Sequence, residues 1–448
     1  MSSTAQLTDK QSTKKPRRRR GWVRALKIAL VIFVVMVIGL VGIPIVSPSA
    51  GAAIADGLRA IIGPEAVASI ESVSFKIQDV FNQARYQVSG GQAQVTWADP
   101  ASDGSANTAP PTPLATTRAA PAQPAPSTTS QTTGNQPPAG NSSTMTQSLP
   151  TQSLPTQSLP VLNVLNAPSP ANLDWQSFGP TGASNQPIMA RASVNPDPSR
   201  AYALAALVRI DLTQTILNVV PGTVEPVAAK GTSAFPRPGK IPAADQASGN
   251  LLAAFNGGFK AVHGGYGMMI ESGVTILPPQ DNLATLALYQ DGSVQIGAWG
   301  RDITPTVDLI AYRQNCPLLV DEGQINPHVN DENRKEWGYT IKNLDTTWRS
   351  GVGLSQDGQF LIYAAGGSLT TESLARALQQ AGAYYAMQLD INGFYTRFVT
   401  YQPVTNPKAN AFPVIAHKLL NEISTSTTQF LTPYDRDFFY LLARPTTG

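Results

Sequence analysis

Between Lys27 and Asp56 the chain carries no charge, and Ile28–Val46 is almost continuously apolar. A helix needs about 20 apolar residues to cross the hydrocarbon core of a bilayer. The run is longer than the 7–15-residue core of a cleaved signal peptide, although Ser47-Pro-Ser-Ala50 before Gly-Ala-Ala is loosely cleavage-like. The pattern therefore predicts one transmembrane helix over 28–46. Arg17 to Arg20, Arg24 and Lys27 immediately precede it. By the positive-inside rule, residues 1–27 form a cytoplasmic tail and the C-terminal part is extracytoplasmic. The same arginines suit contact with anionic lipid headgroups.

Past the anchor, the apolar positions change to a helical period. Ile70, Val73, Ile77, Val80 and Ala84 recur at spacings that share one helical face. Pro64-Glu65 reads as the start of that helix. Residues 47–97 are expected to form a juxtamembrane stalk helix that self-associates or lies on the membrane. Residues 98–171 lose periodicity altogether: Pro, Ser, Thr, Ala and Gln dominate, and Thr-Gln-Ser-Leu-Pro repeats in tandem from Thr146 to Pro160. Such a segment cannot bury enough apolar surface to offset its ordering entropy, so a disordered linker is expected.

From 172 to 448 the pattern turns to short apolar runs between turn signals. Strands are predicted at Ala203–Leu212, Ile216–Val220, Leu283–Tyr289, Val294–Ala298, Gly351–Ser355, Phe360–Ala365, Tyr384–Leu389, Phe394–Tyr401 and Phe438–Ala443. Gln290-Asp-Gly-Ser293 and Gln356-Asp-Gly-Gln359 are hairpin signals. A helix is predicted over Thr371–Ala381, capped by Thr370 or Thr371, with Leu374, Ala377, Leu378 and Ala381 inward. A second is predicted at Pro413–Ser424. The class expected is α+β, with strand-rich mixed sheets and a few packed helices, preceded by a single transmembrane helix and a disordered linker.

Charge sharpens this division. The net charge is +3, but residues 1–27 alone carry +8, so the remainder carries −5. A nucleic-acid-binding domain should be basic on its folded part, and this one is not. A single cysteine, Cys316, excludes an internal disulfide framework and is expected to be a packed thiol. Only three histidines are present, so no metal site is expected, and no nucleotide or zinc-hydrolase signature points to a cofactor.

The remaining chemistry lies beside glycines. Leu251-Leu-Ala-Ala-Phe runs into Asn256-Gly257-Gly258, where exposed backbone N–H groups could hold an anion or simply make a turn. Arg349 opens an apolar strand and could clamp a phosphate or carboxylate, or be an ordinary ion-paired arginine. Asp390 ends a buried run, where desolvation would tune its pKa, or it caps the Asn392-Gly393 turn. His263 stands in a glycine-rich loop, and His328 with Asp331-Glu332 in a polar one.

Taken in order, these clusters resemble the phosphodiester glycosidase family over about Leu251–Tyr401. The segments that carry the likeness are Ala254–Phe259, Gly267–Gly273, Pro317–Gln324, Arg349–Gly353, Gly366–Ala375 and Ala381–Asp390. The chain departs from the family after Asp390. A run of glycines and a serine is usual there, and this chain has Ile391-Asn392-Gly393-Phe394. The β-branched Ile391 should narrow approach to the backbone, and Asn392 is expected to supply an amide in its place. The resemblance implies hydrolysis of a sugar 1-phosphodiester in an envelope glycan or exopolysaccharide. Asp390 would be the acid/base or electrostatic carboxylate, and Arg349 would hold the phosphate. Asn256 and the amides of Gly257 and Gly258 would orient phosphate or sugar hydroxyls, with His263, Asn392 and Gly393 nearby. The changed loop favours an alternative, a non-catalytic envelope-glycan-binding module on a membrane tether; a third reading is a scaffold whose membrane and stalk helices assemble a complex.

Overall fold

The computed structural model describes residues 57, 61, 64–98, 169–182, 185–331, 335–338, 346–404, 410–423 and 426–445. The predicted tail and transmembrane helix (1–46), and all but the ends of the predicted linker, lie outside the described residues. Among the described residues, no helix is long and apolar enough to cross a membrane.

The architecture is strand-rich with few helices. An eight-stranded sheet has the order β1-β2-β3-β14-β13-β15-β11-β12. Its strands are β1 (Gln176–Thr181), β2 (Pro187–Val194), β3 (Ala205–Asp211), β11 (Leu318–Asp321), β12 (Gln324–Ile325), β13 (Thr347–Leu354), β14 (Phe360–Leu369) and β15 (Tyr385–Ile391). A five-stranded sheet has β17 (Val414–Lys418), β16 (Phe398–Pro403), β5 (Leu251–Asn256), β18 (Phe438–Ala443) and β4 (Thr215–Val220), in that order. The other five-stranded sheet runs β7 (Thr275–Leu277), β6 (Met268–Met269), β10 (Leu309–Asn315), β8 (Ala284–Tyr289), β9 (Val294–Ala298).

The centre of the large sheet is covered on both faces, so its strands are almost continuously apolar. Along β3, Ala205 and Leu207 join one core while Ala206, Val208 and Ile210 join another. Along β14 the same alternation divides Ile362 and Ala364 from Leu361, Tyr363 and Ala365. The first core lies beneath a helix, Thr371–Gln380, and the second takes in residues of both five-stranded sheets. Both predicted Asp-Gly hairpins form, joining β8 to β9 and β13 to β14.

Three helices are described: α1 (Pro64–Val88), the short α2 (Ala243–Ala247) and α3 (Thr371–Gln380). α3 forms for the expected reasons. The Thr370 hydroxyl accepts from the Ser373 amide at 3.1 Å, and Ser373 Oγ accepts from the Thr370 amide at 2.7 Å. This reciprocal cap satisfies two otherwise orphaned donors. Leu374, Ala377, Leu378 and Ala381 are fully buried. β14 and β15 both pair antiparallel with β13, so they run parallel to each other, and α3 supplies the crossover.

Two expectations are corrected. Pro413–Ser424 contains a strand, β17, rather than a helix. Buried Val414 and Ala416 flank exposed Ile415, and Tyr401 of β16 pairs with Ala416, so a period of two wins locally. Residues 394–397 precede their strand because Tyr395 and Thr396 donate their amides to the Asn392 carbonyl, closing a tight turn.

The stalk helix exists, but its polar face docks. Asp79 accepts from Arg200 at 2.8 Å and from the Tyr202 hydroxyl at 3.0 Å, and Asn82 donates to Ser368 Oγ at 2.8 Å. Past α1, the Ala98 amide bonds the Leu419 carbonyl at 3.1 Å. The apolar stripe of Val73, Ile77 and Val80 faces outward.

Candidate active site

The candidate site is built at the ends of β5, β13, β15, β16 and β18. Behind them stands an aromatic wall. Phe255 packs against Tyr363 at 5.4 Å, Phe439 at 5.4 Å and Phe398 at 6.0 Å between ring centroids. Burial of these rings fixes the strand ends in register, each good aromatic pair adding about 0.5–1.5 kcal/mol beyond its area.

Asn256 is the knot of this register. Its Nδ2 donates to Ser350 Oγ on β13 at 2.9 Å and to the Gly257 carbonyl at 3.2 Å. Its Oδ1 accepts from the Tyr363 hydroxyl on β14 at 3.1 Å and from the Arg397 amide at 3.0 Å. Ser350 in turn donates to the Asp390 carbonyl at 2.7 Å, and the Asp390 amide donates to the Gly257 carbonyl at 2.9 Å. One buried amide thereby ties four strands around Asp390.

The two glycines that follow are required by protein contacts. A Cβ on Gly257 would lie 2.1 Å from Asp437 Oδ2, and one on Gly258 would lie 2.9 Å from Arg313 Cζ. Arg313 and Asp437 form a fully buried ion pair at 2.8 Å. Asp437 also accepts from the Gly258 amide at 3.1 Å, and Arg313 donates to the Phe259 carbonyl at 2.6 Å. The pair moulds the Asn-Gly-Gly-Phe segment from beneath, and the Gly258 amide is already committed to it.

Asp390 is buried and faces Arg436, whose Nη2 donates both to Asp390 Oδ2 and, at 3.1 Å, to the Gly258 carbonyl. The Ile391 amide donates to Asp390 Oδ1 at 3.0 Å. Burial pushes the Asp390 carboxyl up to about 6; Arg436 opposes that, Asp437 adds to it, and the Ile391 amide and Lys260 oppose it. Burial also works against the Arg436 charge, but Asp390 holds its pKa above the usual range. Tyr395 lies over this cluster, with Arg436 Cζ 4.4 Å and Lys260 Nζ 5.8 Å from its ring centroid. Arg397 lies 4.9 Å from the Tyr434 ring. Nε and Nη1 of both Arg397 and Arg436 are buried and have no hydrogen-bond partner among the described residues.

The structure thus joins Asn256, Gly257 and Asp390 through direct hydrogen bonds, and Gly258 to Asp390 through Arg436. Arg349 is placed differently from the sequence expectation of a phosphate clamp. It is fully buried, and its Nε donates to the Leu369 carbonyl at 3.1 Å. Its Nη1 donates to Gln388 Oε1 at 2.9 Å and the Trp337 carbonyl at 3.3 Å. Asn392 adopts a left-handed backbone, φ 82°, and its Oδ1 accepts from the Phe394 amide at 3.3 Å, so its side chain serves the turn. Gly393 packs on Trp348, where a Cβ would lie 3.0 Å from the indole. His263 ends a 3₁₀ turn, edge-on to Phe259 at 6.3 Å. Cys316 is buried, its thiol pushed up to about 12 by burial. Among the described residues, no group of three or more His, Cys, Asp or Glu could hold a metal ion.

Residues 249–416 match the phosphodiester glycosidase family. The match takes in Asn256, Lys260, Arg397 and Asp390, and ends before Arg436 and Asp437. No curated protein matches the chain. Among solved structures, the zebrafish N-acetylglucosamine-1-phosphodiester alpha-N-acetylglucosaminidase catalytic domain, auto-inhibited by its pro-peptide, is 15% identical. The similarity covers 60% of this chain and 88% of that one, with a TM-score of 0.37. A hypothetical protein from Synechocystis is 13% identical, covering 62% of this chain and 64% of that one, with a TM-score of 0.31.

Lys260, Arg397, Arg436 and the Arg313–Asp437 pair escaped the sequence reading. One local signal did exist: Asp435-Arg436-Asp437 is a charged triplet between Tyr434 and the apolar run of β18. Charges at the mouth of a largely buried strand need partners there.

Proposed function

We propose that the chain is a membrane-anchored, exported hydrolase that cleaves a sugar 1-phosphodiester of an envelope or extracellular glycan. The observation that carries this reading is the guanidinium of Arg436. Its Nη2 is held by Asp390 and Gly258, while Nε and Nη1 are buried without partners. Buried, unsatisfied donors on a cation are costly, and a phosphate oxygen accepting from Nε or from Nη1 would offset that cost. Arg436 is therefore assigned to the phosphate. Arg349, committed to Leu369, Gln388 and Trp337, is assigned to holding the β13–β15 register.

With phosphate on Arg436, the Asp390 carboxylate lies beside the sugar's anomeric carbon. There it stabilises the oxocarbenium-like charge and accepts the proton of the attacking water. The anomeric C–O bond breaks, its oxygen stays on phosphorus, and the products are a free sugar and a phosphomonoester. Phosphate whose charge is offset by a guanidinium leaves readily, so a separate strong acid is not required. Lys260, near Tyr395, adds positive charge to the same cluster.

The test is incubation of the full chain with the benzyl ester of N-acetylglucosamine 1-phosphate and its mannose and glucose counterparts. Release of free sugar and benzyl phosphate, abolished in Asp390→Asn, is the expected result. Retention of the sugars without turnover would instead establish a glycan-binding module. The anchored placement rests on the Ile28–Val46 run and the arginines before it. Protease accessibility of a C-terminal tag on intact cells tests it.

A further inference from the structure

The segment leading from α1 into 89–97 encloses a cleft of about 490 Å³ against the large sheet. That volume is within the range of small-molecule and ligand sites, roughly 300–1,000 Å³. Asn82, Tyr86 and Gln92 line it from α1 and the segment after it, together with Tyr202, Trp348 and Ser368, and Asn82 Nδ2 is bonded to Ser368 Oγ at 2.8 Å. The cleft does not include Asp390 or Arg436. Its chemistry differs from theirs. Arg85 and Glu422 are the charged residues that line it, and they offset each other. Amides, hydroxyls and half-buried aromatic rings make up much of the rest. Such a lining suits a neutral, hydroxyl-rich ligand, with apolar sugar faces on the rings and hydroxyls on the amides.

Two contacts connect this cleft to the candidate active site. The Asn392 amide donates to the Trp348 carbonyl at 2.7 Å, and Gly393 packs on the Trp348 indole. Trp348 also directly precedes Arg349 and lies two residues before Ser350, which holds Asp390. The turn after Asp390 is thus seated on the cleft's aromatic residue. We propose that the cleft between α1 and the eight-stranded sheet binds neutral saccharide units of a glycan, remote from the bond that is cleaved. The reading of that bond as a sugar phosphodiester is the one given above. The segment before the linker, expected to be a plain stalk, is then one wall of a glycan site.

Calorimetric titration of the full chain carrying Asp390→Asn with unphosphorylated tetrasaccharides of glucose, mannose and N-acetylglucosamine tests this without requiring turnover. Saturable binding of at least one is expected, weakened by about tenfold or more in Trp348→Ala and in the double variant Asn82→Ala/Gln92→Ala. The double variant alters only side chains on α1 and the segment after it, so it remains informative if Trp348→Ala does not fold. Hydrolysis of the short benzyl phosphodiesters is expected to be unchanged in Asn82→Ala/Gln92→Ala, because neither side chain bonds the Asp390–Arg436 cluster. No binding of any tetrasaccharide, or binding indifferent to these substitutions, overturns the proposal while leaving the hydrolase reading standing. Absence of hydrolysis with cleft-dependent binding overturns the hydrolase reading alone.

Discussion

Arg436 reaches Asp390 through a single nitrogen, Nη2, which also holds the Gly258 carbonyl. Its Nε and Nη1 are buried and have no hydrogen-bond partner among the described residues. Arg436→Gln removes the guanidinium assigned to the phosphate and leaves a buried carboxylate without its cation. Loss of one such electrostatic donor typically lowers turnover about 100- to 1,000-fold. Breaking a buried pair from one side costs about 3–5 kcal/mol of stability. Asp390→Asn/Arg436→Gln should be less destabilised than the sum of the single variants, because neither group is then left as an unpaired charge. Urea melts of the four proteins measure that coupling, and additivity would show that the pair is not electrostatically linked.

The raised Asp390 pKa, about 6, gives two pH signatures of opposite direction. If the carboxylate must be charged to work, kcat/KM rises with pH through about 6 and levels off above it. Stability moves the other way. A carboxyl whose folded pKa exceeds its unfolded value of about 3.9 binds its proton more tightly when folded. Its contribution is present at low pH and is lost as pH rises from about 4 to about 6. The stability deficit of Asp390→Asn relative to the parent should therefore shrink as pH rises from about 4 to about 7. A difference that is flat across that window would place the Asp390 pKa at an ordinary value.

Asn256 makes four hydrogen bonds inside the protein, to Ser350, Gly257, Tyr363 and Arg397. Its role is positioning. Asn256→Ala leaves the Arg397 amide short of an acceptor, at about 1–3 kcal/mol if it stays unsatisfied, and leaves the Tyr363 hydroxyl only the Arg397 carbonyl at 3.3 Å. Since Ser350 bonds the Asp390 carbonyl, loosening should reach the carboxylate. The expected outcome is a lower melting temperature together with a fall in kcat that exceeds any rise in KM. A change confined to KM would mean that Asn256 touches substrate directly.

Local signals carried the parts of the fold that local physics decides. The α3 cap, its inward Leu374 and Leu378, and both Asp-Gly hairpins lie within a few residues of one another in sequence. β17 was misread because Val414-Ile-Ala-His-Lys418 is too short for its period to distinguish helix from strand, and pairing with β16 settled it. Likewise Asn256, the glycines and Asp390 announce themselves as polar residues ending apolar runs. Arg436 and Asp437 do not, since their partners, Asp390 and Arg313, lie 46 and 124 positions away in the chain. Arg349 was legible as an unusual arginine, but its carbonyl partners are set by tertiary packing alone.

Gly257 separates steric from conformational demand. Its backbone is not in the left-handed region, so alanine meets no penalty from φ. A Cβ there would nonetheless sit 2.1 Å from Asp437 Oδ2 and 2.7 Å from the Asp437 carbonyl oxygen. Asp437 cannot swing aside, because Arg313 holds it at 2.8 Å in a fully buried pair. Overpacking of this kind costs about 1–3 kcal/mol and sometimes more. Gly249 supplies the contrast, with φ of 77° but nothing within 4 Å of its Cβ position. Gly249→Ala should cost about 1–2 kcal/mol, the ordinary left-handed penalty. Gly257→Ala should cost more than that and also lower turnover, because the loop it displaces carries the Gly258 carbonyl that seats Arg436. Urea unfolding of both variants decides the matter. A Gly257→Ala protein as stable as Gly249→Ala would mean that the Arg313–Asp437 pair yields, and with it the rigid mould beneath the site.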